Sequence, residues 1–282
     1  MEKLLITGAN GFIGQYVVSL LGKKYEICPL TGNIFNMDID RYIQALRPKY
    51  LIHLAWITGP GYRDSFDNAR FVQKGIEMYE AFYKYGGRRA VYVGTEQEYR
   101  RYERPLKETD PIEPVSFYAE CKADLGKILV QNSLRQGKGF VWGRLFFIYG
   151  AGEKPMRLMP SIIQGLLQDQ EVTCSCERYI RDYIYAADAA SAIAACLLSD
   201  YIGYVNIGGG RRTTIGEIAD VAKKIIGGNG NIGFRSHEEC GQFPHIQADI
   251  SVLKSLGWKQ KYTLEEGLRA EIHALCPKYV QL

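Results

Sequence analysis

The sequence has little of what would send a chain to a membrane, a metal or a nucleic acid. No apolar run approaches the roughly 20 residues needed to cross a bilayer. No leader peptide is expected either, because the first apolar run reads as a strand entering a glycine turn. Four histidines and seven cysteines fall without metal-ligand spacing. Cys174 and Cys176 form the one close cysteine pair, and in a strand both thiols would share a face. No other His or Cys stands near enough in sequence to complete a site, so no metal is expected. An odd number of irregularly spaced cysteines reads as reduced, mostly buried thiols in a cytoplasm. The net charge of +4 is small, and Lys and Arg are scattered or paired, as at Arg88-Arg89 and Arg211-Arg212. That pattern excludes a nucleic-acid stripe. Internal repeats, low-complexity segments and flexible linkers are absent too.

The most informative stretch runs from Lys3 to Gly14. Leu4 to Ile6 is a short apolar run of the kind buried on both faces of a parallel sheet. It breaks at Gly8, Gly11 and Gly14, after which Phe12, Ile13, Tyr16, Val17, Leu20 and Leu21 recur at helical spacing and Gly22 caps the helix. Strand, glycine turn and helix together make a dinucleotide-binding element. Gly8 permits the turn, Gly11 lets backbone approach a diphosphate, and Gly14 lets helix and strand pack closely.

Strands follow at Tyr25–Leu30, Tyr50–Ala55, Ala90–Val93 and within Phe140–Tyr149. Helices alternate with them at about 38–46, 67–85 and 117–135. The second half predicts a helix over Leu158–Leu167, a strand at Arg181–Tyr185 and an alanine-rich helix capped by Asp188. Thr214 and Glu217 match a capping box. The expected fold is α/β, a Rossmann-type doubly wound parallel sheet with a smaller C-terminal α/β substrate-binding lobe. Residues 1–150 and about 182–205 form the dinucleotide-binding domain, and about 151–181 and 206–282 form the lobe.

Tyr118 and Lys122 stand four apart at the start of the helix at 117–135, so phenol and ammonium share a helical face. A fixed cation favours phenolate, which lowers the expected pKa of Tyr118 toward neutrality and suits it to exchange a proton with a carbinol or carbonyl. Taken alone, such a pair is common surface decoration; after a dinucleotide element it carries chemistry.

With these residues in view, the chain resembles the extended short-chain dehydrogenase/reductases, especially the nucleotide-sugar epimerases, dehydratases and reductases. The resemblance spans nearly the whole chain: Thr7-Gly8-x-x-Gly11-x-x-Gly14, His53-Leu54-Ala55, Tyr118-x-x-x-Lys122, Arg144-Leu145-x-x-x-Tyr149-Gly150, Arg181-Asp182-Tyr183, Asn206-Ile207-Gly208 and Leu256-Gly257-Trp258. It implies that Tyr118 is the acid/base, that Lys122 lowers its pKa and holds the nicotinamide ribose, and that Thr95 hydrogen-bonds the reacting oxygen. It implies NAD or NADP held by Gly8, Asn10, Gly11, Phe12, Ile13, Gly14, Leu54, Ala55, Tyr118 and Lys122, with Asp38 and Ile39 at the adenine. Asp38 reads equally well as a helix cap. A nucleotide-sugar substrate would meet Thr95, Glu96, Gln97, Phe147 and Arg181, the last on its diphosphate. For Arg181 a buried pair with Asp182 or Asp188 is the alternative.

Departures from the family pattern narrow the chemistry. Leu30-Thr31-Gly32-Asn33 carries no carboxylate for the ribose hydroxyls of NAD, which leans toward NADPH. Phe147 replaces an Asn used by many epimerases, Val72 stands near the place of a helix Asn, and Gln97 stands where dehydratases keep a base. Gly241–His245 lacks an obvious arginine and acidic pair for the nucleotide, and Arg235 is a weak candidate for a phosphate contact. The expectation is a 4-keto-sugar reductase, with a 4-epimerase second and a non-catalytic NAD(P)-binding sensor or scaffold third. A homodimer is expected from apolar residues beyond one face of two helices: Met78, Tyr79, Phe82 and Tyr83 on the first, Ile128, Leu129 and Val130 on the second.

Overall fold

Leu4, Leu5 and Ile6 are fully buried, and their strand β1 (Lys3–Thr7) lies inside a six-stranded parallel sheet. The structure, a computed structural model, describes residues 1–227, 229–236, 240 and 245–276. The other strands are β2 (Glu26–Leu30), β3 (Tyr50–His53), β4 (Arg89–Thr95), β5 (Gly139–Leu145) and a last one, Gly203–Ile207. Their order is β2-β1-β3-β4-β5 and then the last strand. The order reverses between β1 and β3, and a doubly wound sheet opens a ligand crevice at the carboxyl ends of such a strand pair. Pro29, which has no ladder donor, sits on the edge strand β2 where none is needed on the open side.

Helices α1 (Phe12–Leu21), α2 (Ile39–Leu46), α3 (Asp67–Lys84), α4 (Phe117–Gln136) and a later helix, Ala186–Leu198, cover the two faces. Two glycines set the depth of the α4 layer. A Cβ at Gly75 of α3 would press on Leu125 of α4, and one at Gly126 of α4 would press on the Trp142 ring of β5. Six of the seven apolar residues expected on a two-fold surface turn inward. Met78, Tyr79, Phe82, Leu129 and Val130 are buried, and Tyr83 bonds its hydroxyl to Gly139 O, which leaves Ile128 exposed. Long α/β helices bury more of their girth than one stripe, so apolar excess was no guide to a partner surface.

The second half adds α5 (Leu158–Leu167), α7 (Ile215–Ile226), α8 (Ser251–Ser255) and α9 (Leu264–Leu275), with short two-stranded parallel pairs among them. Leu166, Ile163, Ile218 and Leu268 anchor a core of their own there. Thr214 makes the expected capping box with Glu217. Asp188 is not the cap of α6 (Ala186–Leu198), as expected from sequence; Tyr185 is. Its carboxylate instead accepts the amides of Lys261 and Tyr262 at 3.0 and 2.9 Å, tying the segment before α9 to α6. Asp182 likewise takes backbone amides, from Gly209, Gly210 and Ala248, and so is not paired with Arg181. The thiols depart from expectation as well. Cys176 and Cys240 are disulfide-bonded across 64 residues of sequence, while Cys28, Cys121, Cys174, Cys196 and Cys276 are free. No short-range spacing announces such a pair. Among the described residues no helix is long and apolar enough to cross a membrane.

Glu153 and Glu271 are a costly pair in this interior. Both oxygens of Glu271 on α9, and one of Glu153, are buried without a hydrogen-bond partner. Burial pushes both carboxyls from the ordinary 4.5 up to about 8, and Glu153 adds to the shift at Glu271. Between about 4.5 and about 8 the folded chain therefore holds protons that the unfolded chain has released. This contribution to stability is full at the acid end of that window and is lost as pH rises through it. Thermal melts of the wild type should fall in Tm from pH 5 to pH 8.5. Glu271→Gln should raise Tm at the alkaline end by on the order of 5 °C and leave pH 5 nearly unchanged. Identical pH profiles for the two proteins would contradict this account.

Candidate active site

The glycine turn after β1 is built without spare room. Gly8 has φ +69, a left-handed backbone that favours glycine, and a Cβ there would lie 2.9 Å from Ala55 N. A Cβ at Gly14 would run into the carbonyls of Gly8 and Ala9, so α1 can approach β1 only because this position has no side chain. Gly11 donates to Gly8 O at 3.0 Å and is the N-cap of α1. Asn10 is exposed, Phe12 packs edge-on against Tyr16, and Ile13 is partly buried against the main core. The α1 terminus has no side-chain cap and no acidic residue in its first turn. Orphan amides at a helix N-terminus, behind a turn too tight for a Cβ, fit the diphosphate of a dinucleotide.

The opposite wall of the crevice is the end of β3. Leu54 N donates to Thr7 O at 3.2 Å and Ala55 N to Thr7 Oγ1 at 3.1 Å, while His53 Nδ1 shares a 2.8 Å hydrogen bond with the same hydroxyl. Burial, then the nearby Lys122 charge, pushes the His53 pKa down to about 3, so this imidazole is a neutral brace and not a proton carrier. Asp38 accepts Arg41 N at 3.0 Å and caps α2, and the Ile39 side chain is in the core.

Thr95 ends β4 and starts the short turn Glu96–Glu98. Thr95 Oγ1 accepts Gln97 N at 3.3 Å, and Glu98 Oε1 accepts Thr95 N at 2.9 Å, a reciprocal cap. Ser116 caps α4, which presents Tyr118 and Lys122 in its first two turns. The Tyr118 hydroxyl lies beside the Thr95 side chain, and the Tyr118 ring meets Tyr62 and Trp56 edge-on. Its amide is held by Arg63 O at 2.8 Å. Lys122 Nζ donates to Val93 O at 2.7 Å and stands 3.8 Å from the centre of the Trp56 ring. The expected lowering of the Tyr118 pKa by Lys122 is therefore corrected. Burial dominates and raises it, with Tyr62 adding to the rise, and the phenol is held protonated. Burial also draws Lys122 down to about 7.

Beyond this centre Glu96 is buried and pairs with Arg101 at 2.6 Å. Burial raises its pKa against the pull of Arg101, Arg181 and Arg63. The Arg181 guanidinium lies 4.7 Å from the Tyr179 ring and 5.8 Å from that of Phe147, which itself packs on Tyr183. Gln97 keeps Oε1 buried without a partner. Thr95, Glu96, Gln97, Tyr118, Phe147 and Arg181 are thus one connected group. Arg235 is not in it; it is exposed after Ile232–Phe234, its amide on Cys174 O. Of the segment at 241–245, only His245 lies within the described residues. Sequence reasoning passed over Trp56, Asn68, Arg63 and Arg101. Asn68 is buried, accepts Trp56 Nε1 at 2.8 Å and donates to Tyr62 O and Ser65 O, so it shapes the loop over Tyr118. The one available signal was an Asn one turn before Val72. Among the described residues no cluster of three metal-ligating side chains occurs.

Comparison with known proteins identifies the family. The model of the NAD dependent epimerase/dehydratase family matches residues 4–208. A Methanocaldococcus jannaschii protein provisionally named UDP-glucose 4-epimerase is 27% identical, over 96% of this chain and 97% of its own. GDP-L-fucose synthase 1 of Arabidopsis thaliana is 24% identical, over 94% and 90%. Among solved structures, the UDP-glucose 4-epimerase of Thermotoga maritima with UDP-glucose superposes with a TM-score of 0.87 at 23% identity, covering 98% of this chain and 99% of that one. The Thermus thermophilus UDP-glucose 4-epimerase complex with NAD gives 0.80 at 22% identity, over 96% and 98%. From its glycine turn to the strand at Gly203–Ile207, this chain belongs to the NAD dependent epimerase/dehydratase family.

Proposed function

We propose that the chain is a reductase that acts on a nucleotide-linked 4-keto sugar with NAD(P)H. When bound, the nicotinamide supplies the hydride. The chain's own part is to hold, orient and protonate. Gly8, Gly11, Gly14 and the α1 terminus take the diphosphate, with Asn10, Phe12 and Ile13 beside it, and Asp38 and Ile39 are the adenine side. Leu54 and Ala55 wall the nicotinamide half, and Lys122 anchors its ribose. Tyr118 gives its proton to the substrate carbonyl oxygen, and the Thr95 hydroxyl fixes that oxygen's place. Arg181, with Phe147, Glu96 and Gln97 around it, takes the nucleotide-sugar side, where a guanidinium suits a diphosphate. The separate apolar core around Ile163 and Leu268 supports a substrate lobe distinct from the sheet.

The observation that carries this reading is the placement of Tyr118, at the head of α4, beside the Thr95 side chain that ends β4. A half-buried phenol next to Thr95, its pKa raised by desolvation, is set to donate, which is what reduction of a ketone requires. Gln97 adds support, since an amide cannot serve as the base that dehydration needs. A 4-epimerase is the second reading, favoured by the named relative and fold neighbours above; it would begin by taking a proton from a carbinol.

Tyr118→Phe removes the donor while leaving the glycine turn intact. Turnover of a nucleotide-4-keto sugar should fall by roughly a hundredfold or more, with NADPH affinity nearly unchanged. Near-normal turnover would overturn the role given to Tyr118. The cofactor test is independent. Asn33 spends its side chain on the Phe35 amide at 2.9 Å, and no carboxylate stands at 31–33 to repel a 2′-phosphate. Fluorescence titrations should give NADPH and NADH dissociation constants within about tenfold of each other. Binding of NADH alone would contradict the proposed tolerance.

A further inference from the structure

Glu98 is the least expected residue at this site. It is fully buried one turn past Thr95, and its carboxylate has three kinds of donor around it. Arg144 Nε of β5 donates at 2.7 Å, Trp142 Nε1 at 3.1 Å, and Thr95 N at 2.9 Å. Backbone room has been cleared for it, since a Cβ at Gly94 would collide with both Glu98 Oε1 and Trp142 Nε1. On the same strand end, Lys122 Nζ holds Val93 O and lies 5.9 Å from the Trp142 ring centre. Lys122 and Glu98 thus grip Val93 and Thr95, on either side of Gly94.

We propose that Glu98 is a positioning residue of the reaction centre: it fixes the Thr95 turn through the backbone and is the counter-charge that keeps Lys122 an ammonium. The inference rests on the proposed place of Lys122 in the site. An ammonium in this interior has few other sources of support. Trp56 and the Val93 carbonyl stabilise it by ring face and dipole. From β3 it meets His53, held neutral, and from its own helix Tyr118, held protonated. Glu96 in the same turn is engaged by Arg101, and Arg144 on β5 is a like charge. Glu98 is the group whose charge opposes the effect of burial on Lys122. Without it, desolvation alone would favour the neutral amine, which holds a ribose hydroxyl less firmly than an ammonium does.

The experiment is a titration of Lys122 by NMR in full-length protein carrying [ε-13C]lysine, with the signal assigned by Lys122→Arg. It needs neither substrate nor cofactor, so its failure and that of the proposed reduction are separate results. Glu98→Gln should lower the Lys122 midpoint by about one unit or more, a tenfold or greater weakening of proton binding. Arg144 left buried without its partner could unfold that variant. Glu98→Gln/Arg144→Met removes both charges at similar volume and should show a smaller downward shift, because losing the like charge of Arg144 offsets part of the loss of Glu98. A Lys122 midpoint unchanged or raised in either folded variant overturns the proposal. So does failure of the double variant to fold, which would assign the pair to stability alone.

Discussion

Helix α1 can reach β1 only where no Cβ intervenes, and the rest of the molecule is arranged around that close approach. Gly14 has no room for a methyl group between the helix and the carbonyls of Gly8 and Ala9, and Gly8 needs a left-handed backbone beside Ala55. With helix and strand this close, the amides at the α1 terminus face the crevice opened by the reversal of strand order at β1 and β3. Thr7 then closes the two walls together by binding His53, Leu54 and Ala55 at once. A side chain at Gly14 would move that whole floor, which is why the glycine spacing is a structural requirement before it is a binding motif.

The neighbouring end of β4 obeys a different constraint: charge in a dry place. Glu98 and Arg144 pair there at 2.7 Å with almost no exposure, and Glu96 in the same turn and Lys122, bound to Val93 O, are buried too. Buried pairs add little to stability over apolar replacements, but they fix geometry, since each charge must meet a particular partner. The hydroxyl of Thr95 and the phenol of Tyr118 inherit that fixed geometry. Desolvation raises the Tyr118 pKa, so the phenol is protonated at neutral pH.

The parts legible in the sequence were those whose signal is local. The β1 turn, the Tyr118 and Lys122 spacing and the Thr214 capping box each depend on residues within a few positions, and each lies where periodicity and turn chemistry put it. The parts that escaped depend on distant partners. Glu98 looks like one more charge until Trp142 and Arg144 arrive from β5, 44 and 46 residues on. Asp188 reads as a cap until the chain returns at Lys261, and Cys176 gives no hint of Cys240. The direction of the Tyr118 shift was misread for the same reason. Helical spacing places Lys122 on the right face, but Val93 and Trp56 decide where its ammonium goes.

The central claim is net reduction at a sugar carbon, and isotope transfer tests it most directly. The purified protein would be given NADPH deuterated at both C4 positions together with nucleotide-linked 4-keto sugars, and the products read by mass spectrometry and NMR. The account predicts one deuterium at the former keto carbon of each product molecule, with one reduced cofactor consumed. Interconversion of nucleotide sugars with no deuterium gained and no cofactor consumed would contradict it and establish the epimerase in its place.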